Sequence, residues 1–315
     1  MVRVECEMTA EELNACIANG TVNEVIRVAE AKQVKALSKI ADEICRDDRR
    51  RLVLVAGASA AGKTTTAKRM CTQLRVNDRE ALHLSTDDYF VGDELNPRDE
   101  DGKLDYEHVE CVDIARLAAD INALLRGESV RKRRFDFVKH EPFYTDEQLL
   151  LSASGLVVLE GIHALNPRLT EGLDDAMKYR VFIEPQPQLD VFGGFCPSSR
   201  DARFLRRMVR DNQFRKRNPV DTLELWPSVI RGEERWIEPF RHNADALFNS
   251  YLVYELAALK PFAGGLLERV HREKGEDRLI VSMIRLLETV EPISTEAIPG
   301  DSILRETIGG SQLEY

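Results

Sequence analysis

The sequence predicts an α/β protein: a mostly parallel sheet with helices on both faces, preceded by a helical N-terminal arm and followed by a helical C-terminal third. Two observations predict it. Continuous apolar runs (LVLVA from Leu52, LVVL from Leu156, the RVFI of YRVFIE from Tyr179) read as strands buried on both faces. Stretches of helical periodicity separate them, and strands connected through helices run parallel.

Thr9 and Glu12 have capping-box spacing before a short helix ending at Gly20. From Val22 to Ile44 the residues Val25, Ile26, Val28, Ala29, Val34, Leu37, Ile40, Ala41 and Ile44 form a helical stripe. This arm is expected at the periphery, as a packing or homo-oligomer helix, and the charged run Arg46–Arg51 closes it. LVLVAG is then a strand, TTTAKRMCTQL a helix, ALHLS a strand, DIARLAADINALL a helix, and LVVLEG and YRVFIE further strands. An acidic loop with Pro and Gly lies between Gly92 and Asp113. The segment from Pro185 to Ser199 has loop density of Pro, Gly and Ser and is expected to be mobile. Helical stripes run through Ala202–Phe214, Tyr251–Val270 and Arg278–Val290, and the tail Pro292–Tyr315 is expected as a partly extended wrap.

At 315 residues, 43% apolar and 31% charged, the composition is that of an ordinary globular chain. The formal net charge of −10 argues against broad nucleic-acid binding, which needs a basic surface, but leaves room for a local basic pocket. Cys6, Cys16, Cys45, Cys71, Cys111 and Cys196 make no CxxC pair and no zinc-spaced cluster. They are expected as free, mostly buried thiols in a reducing compartment. The start of the chain lacks a basic-then-apolar leader, and the apolar runs fall far short of the ~20 residues a membrane span needs. The expected place is the cytoplasm, with no membrane partner.

Gly57, Ala58, Ser59, Ala60, Ala61, Gly62, Lys63 and Thr64 fit G-x-x-x-x-G-K-[ST] between an apolar strand and a helix. Such a loop aims successive N–H groups, and the following helix N-terminus, at phosphate oxygens. Lys63 would reach the β/γ-phosphates and the Thr64 hydroxyl would ligate Mg²⁺. The fold expected is therefore the P-loop NTPase fold, with ATP and Mg²⁺ as cofactors. No N-K-x-D base-reading motif points to a GTPase. Asp87, in STDDYF after the second strand, lies at the ligand-binding edge of such a sheet and suits a base on an acceptor hydroxyl that also influences the metal. Glu160 ends the apolar strand VVLE, where a second acid near Mg²⁺ is expected.

Between them, Arg134–His140 combines aromatic planes with a carboxylate and an imidazole. As one strand it would send Phe135, Phe137 and Lys139 to one side and Asp136, Val138 and His140 to the other. It reads equally well as a stacking surface for a flat ring or as an ordinary β-hairpin. Residues 200–217 hold eight Lys or Arg against two Asp. Arg203, Arg206, Arg207 and Arg210 recur at three- and four-residue spacing, which suits a lid helix closing on phosphates.

Taken together, GASAAGKTTTA, STDDYF, the FDFxxH segment, VVLEGIHALNP and RFLRRMVRD resemble the uridine kinase/phosphoribulokinase family of P-loop kinases. TLELWPSVIRGEERWIEPF, ADALFNSYLVYEL and IPGDSILRETIGGS resemble its uridine kinase-like branch, whose members often carry an N-terminal module similar to part of threonyl-tRNA synthetase. TVNEVIRVAEAKQVKALSKIADEI resembles the linker that precedes the kinase there; the module itself has no counterpart in these 50 residues.

The resemblance implies residues 1–50 as an arm and 51–315 as the kinase domain, with a lid at about 185–217. It implies ATP-dependent phosphorylation of a small-molecule hydroxyl, a nucleoside 5′-OH of the uridine or cytidine kind first among them. Asp87 would be the base. Gly62, Lys63, Thr64 and Thr65 would hold the ATP phosphates and Mg²⁺, Glu160 would support the metal, His140 and Asp105 would lie near base and ribose, and Arg203, Arg206 and Arg210 would clamp phosphates. The family usually shows Tyr where Phe90 and Phe135 stand here. An apolar wall discriminates less than a hydrogen-bonding one, so another hydroxyl substrate (a sugar phosphate, a polyol or a vitamin precursor) stays open. So does a nucleotide-binding regulatory protein that does not turn over.

Overall fold

The structure is a computed structural model of the full chain and describes residues 6–99, 102, 104–137 and 139–314. Five strands, β2 (Leu52–Ala56), β3 (Ala81–Ser85), β6 (Leu156–Glu160), β7 (Lys178–Glu184) and β9 (Ala246–Asn249), form one all-parallel sheet in the order β3-β6-β2-β7-β9. Side-chain alternation gives the sheet two apolar faces. Leu52, Leu54, Val157, Leu159 and Phe182 point to the side covered by α4 (Ile114–Leu125) through Leu117, Ile121 and Leu124. Val53, Val55, Val158, Val181 and Ile183 point to the other, covered by α3 (Lys63–Val76) through Ala67, Met70 and Leu74. Strands buried on both sides must be apolar at every position, which is why these runs are continuous.

Short β1 (Met8–Thr9) leads into α1 (Ala10–Ala18), where Thr9 and Glu12 form the capping box at 3.1 and 2.8 Å. The 24-residue α2 (Val22–Cys45) does not lie at the periphery. Its Leu37, Ile40, Ala41 and Ile44 join the core on the α3 side of the sheet, where α2 packs on α3 and β9, while Ile26 and Ala29 join the helical core. That second core gathers α5 (Ser199–Phe214), α6 (Pro219–Trp236), α7 (Glu255–Lys274) and α8 (Arg278–Glu288) around Phe204, Trp226 and Tyr254. The helix α6 begins at Pro219 with an Asn218 cap, and both α6 and α7 run through an interior proline, Pro227 and Pro261.

The expectation of six free thiols is corrected: Cys6 and Cys196 are joined in a disulfide, and Cys16, Cys45, Cys71 and Cys111 are free. Pairing of β1 with β8 (Leu189–Asp190), and of the Glu7 amide with the Gln188 carbonyl at 2.7 Å, brings the two cysteines together. The same pairing sets the segment from Pro185 to Ser199 beside the start of the chain, and within it Asp190 caps the amides of Phe192, Gly194 and Phe195. Of the two readings of the aromatic segment, the hairpin is the one that forms, and the alternation of a single strand from Arg134 to His140 does not hold. β4 (Val130–Asp136) ends before Phe137 and returns as antiparallel β5 (Glu141–Leu149), with Lys139 and His140 in the turn. His140 has φ +57°, which breaks the alternation; Val138 lies outside the described residues. The tail, expected as a partly extended wrap, carries one short helix, α9 (Arg305–Ile308), among turns and irregular backbone, and Tyr315 lies outside the described residues.

Candidate active site

Parallel strands bring their C-terminal ends to one edge, and β2, β6 and β3 are neighbours there. Glu160 pairs in register with Val55 on one side and Ser85 on the other. The loop after β2, the turn after β3 and the end of β6 therefore meet.

Gly57 is glycine because a Cβ there would stand 2.3 Å from the Ile183 carbonyl oxygen of β7. Ala60 and Gly62 take positive φ, +62° and +88°, curling the loop so that α3 begins at Lys63. Lys63 Nζ folds back to the Ala58 carbonyl at 3.2 Å. Burial lowers its pKa, opposed by the charges of Glu160, Asp87 and Glu306. The Thr64 hydroxyl donates to Glu160 Oε1 at 3.2 Å and the Ser85 hydroxyl to the same oxygen at 2.6 Å. Glu160 is buried, and desolvation together with the nearby Asp87 raises its carboxyl to about 7. A buried carboxylate short of positive charge, with two hydroxyl oxygens beside it, fits a hard dication that prefers oxygen ligands. Gly161 follows, and a Cβ on it would stand 1.8 Å from Thr86 Oγ1, so only glycine lets the turn Thr86–Tyr89 close over the end of β6. That turn carries Asp87, whose amide hydrogen is accepted by Ser85 Oγ at 3.3 Å. Lys63, Thr64, Asp87 and Glu160 are thus brought into one charge network.

The arginines of α5 divide. Arg203 and Arg206 do not point free towards a phosphate site. Arg206 is buried in a bidentate pair with Glu255, 2.6 Å at both contacts, and also reaches the Ala60 and Ala61 carbonyls at 3.5 and 3.4 Å. Arg203 pairs with Glu233 at 2.7 Å and reaches the Ser59 carbonyl at 3.4 Å, and Arg207 donates to Ser59 Oγ at 2.7 Å. These three hold the loop itself. Arg207, Arg210, Arg215 and Arg217 surround one buried carboxylate, Asp211, at 3.4, 2.9, 3.6 and 3.5 Å. The charge of Arg210, then burial, pulls the Arg215 guanidinium down to about 10. Four cations on one anion leave an excess of positive charge suited to phosphate oxygens. Arg215, Arg217 and Ser85 were missed by spacing alone, because Arg215 and Arg217 follow the last turn of the helix.

On the acceptor side, Phe90 and Phe135 are both buried and pack edge-to-face at 5.7 Å, with exposed Phe137 at 6.0 and 5.1 Å. Arg133 and Arg134 fasten the hairpin to the Asp87 turn, through the Phe90 carbonyl at 3.0 Å and Asp88 at 3.2 Å. His140 meets Tyr106 at 3.1 Å and Asp93 at 3.2 Å. Asp105 caps the Glu107 amide at 3.0 Å rather than joining His140. Glu107 is a further residue that the sequence did not single out. Its Oε2 is buried without a partner among the described residues, burial raises its pKa, and Arg207 and Lys63 oppose that. Gly232 of α6 makes room for it: a Cβ there would stand 2.3 Å from Glu107 Cβ. No sequence signal distinguishes Glu107 from the other acids of that loop.

Residues 52–257 match the family model described as "Phosphoribulokinase / Uridine kinase family". The chain belongs to this family. It is an ATP-dependent small-molecule kinase, with the P-loop kinase fold. A uridine kinase of Lactobacillus helveticus is 25% identical over 197 residues, 62% of this chain and 84% of that protein. One of Halalkalibacterium halodurans is 27% identical over the same shares. Among solved structures, a "possible uridine kinase" from Bacillus stearothermophilus covers 68% of this chain and 100% of that one at 19% identity and a TM-score of 0.41. Among the described residues no helix is long and apolar enough to cross a membrane.

Proposed function

We propose that this kinase transfers the γ-phosphoryl group of ATP to a primary hydroxyl of a small molecule, with the 5′-OH of a pyrimidine nucleoside as the first candidate. The observation that carries the reading is the gathering of Lys63, Asp87 and Glu160 at adjoining strand ends. The P-loop amides and Lys63 hold the triphosphate. Thr64, Glu160 and Asp87 are the residues that would hold Mg²⁺, which when bound neutralises charge on the phosphate oxygens. Asp87 accepts the proton of the acceptor hydroxyl as its oxygen attacks phosphorus in line with the leaving ADP oxygen. Arg207, Arg210, Arg215 and Arg217 supply positive charge for the developing negative charge. Arg203 and Arg206 act one step back, by fixing the loop.

A second reading is favoured by one observation. The buried walls Phe90 and Phe135 carry no hydroxyl, and they pack on each other and on Phe137. Such a surface takes a compact polyol or sugar phosphate as readily as a base that needs hydrogen bonds. ADP release measured across nucleosides, polyols and sugar phosphates decides between the two. Release with uridine or cytidine alone supports the first, release with a polyol or sugar phosphate supports the second, and release with no acceptor of any class removes both.

A further inference from the structure

The C-terminal tail reaches the P-loop. Ile303 is buried in the same core as Ala61 and the sheet, and its Cγ2 would stand 2.7 Å from a Cβ placed on Gly62. Leu304 and Ile308 anchor the tail in the helical core. Arg305 gathers the carbonyls of Thr295, Ile298, Pro299 and Gly309 at 2.5 to 3.3 Å, so the tail is preformed around one guanidinium. Glu306 follows, and its Oε2 accepts the Thr65 hydroxyl at 2.9 Å. Thr65 lies in the first turn of α3, two residues after Lys63, in the phosphate cradle.

A hydroxyl has one proton to donate. While it serves the Glu306 carboxylate it cannot serve a phosphate oxygen. The Glu306 charge also bears on Lys63, Lys68 and Glu160, so it belongs to the electrostatics of the site and not to the tail alone. We propose that Glu306 is a positioning residue of the nucleotide site, contributed by the tail, which acts through the Thr65 hydroxyl and weakens triphosphate binding by competing for it. The inference rests on the P-loop being the triphosphate cradle and deepens that reading: nucleotide affinity is set in part by a residue some 240 positions from the loop. By linkage, triphosphate binding displaces the carboxylate from Thr65 to the same extent that the carboxylate weakens binding.

The test is direct ATP binding, by calorimetry on the full chain, to the wild type, Glu306→Gln, Thr65→Val and the double variant. Glutamine keeps an acceptor oxygen and the shape, so the tail stays docked; only the charge that strengthens the bond is lost. The expected result is a dissociation constant for ATP lowered about three- to tenfold in Glu306→Gln, an unchanged melting temperature, and the gain abolished in the Thr65→Val background. A merely structural role predicts weaker binding or a lower melting temperature. Binding no tighter in Glu306→Gln overturns this inference alone, as does an equal gain with and without the Thr65 hydroxyl. A wild type that binds no triphosphate overturns the reading of the cradle, and this inference with it.

Discussion

Glu255→Ala probes how the P-loop is held. Arg206 and Glu255 are both almost completely buried, with side-chain exposures of 2% and 0%, and they pair through two 2.6 Å contacts. Removing the carboxylate strands a guanidinium in the core, with the Ser250 carbonyl at 2.9 Å and longer contacts to Ser250 Oγ and the Ala60 and Ala61 carbonyls as its remaining acceptors. Breaking one side of a buried pair costs about 3–5 kcal/mol. Urea unfolding followed by far-UV dichroism should show that loss as a lower midpoint at unchanged slope. ATP affinity should fall with it, because the Ala61 carbonyl is held by Arg206 and by Ser250 Oγ at 2.6 Å. The paired replacement Arg206→Met with Glu255→Leu should recover most of the stability while leaving ATP affinity weak. A Glu255→Ala chain less than about 1 kcal/mol destabilised would show that the buried pair is not needed for stability, and a paired variant that binds ATP as the wild type does would show that Arg206 does not hold the loop.

Glu160→Gln tests the charge shortage beside Thr64. The folded chain raises this carboxyl from its ordinary 4.5 to about 7, so folding favours its protonated form. The wild type should therefore lose stability relative to the variant as pH rises from about 5 to 8, by roughly 2–3 kcal/mol in magnesium-free buffer; parallel pH profiles would contradict this. Gly161→Ala should destabilise by about 3 kcal/mol or more, because a 1.8 Å approach to Thr86 Oγ1 forces the Asp87 turn away from β6. Wild-type melting and turnover in that variant would show that the turn does not need the close approach.

Much of this was legible in the sequence, for physical reasons that also explain the gaps. The runs at Leu52, Leu156 and Tyr179 announce the sheet because strands covered on both sides carry apolar residues almost throughout. β9 hides because it is an edge strand of four residues with Leu247 exposed. Gly57 to Thr64 was readable because phosphate binding needs backbone geometry that few sequences provide. The roles within α5 were not. Spacing puts Arg203, Arg206 and Arg210 on neighbouring faces, but only Glu233, Glu255 and Asp211, placed by distant or overlapping packing, determine which arginine binds what. Glu306 and Glu107 were invisible because their significance comes from the tail reaching Thr65 and from Gly232 leaving room.

In the proposed reaction a triphosphate at Lys63 faces a hydroxyl whose proton Asp87 accepts. Its most direct test is a matched measurement of ATP binding and acceptor-dependent ADP formation in Asp87→Asn. Nucleotide affinity should stay within a few-fold of the wild type and turnover should fall by about 10²–10⁴. Turnover at the wild-type rate would contradict that role of Asp87.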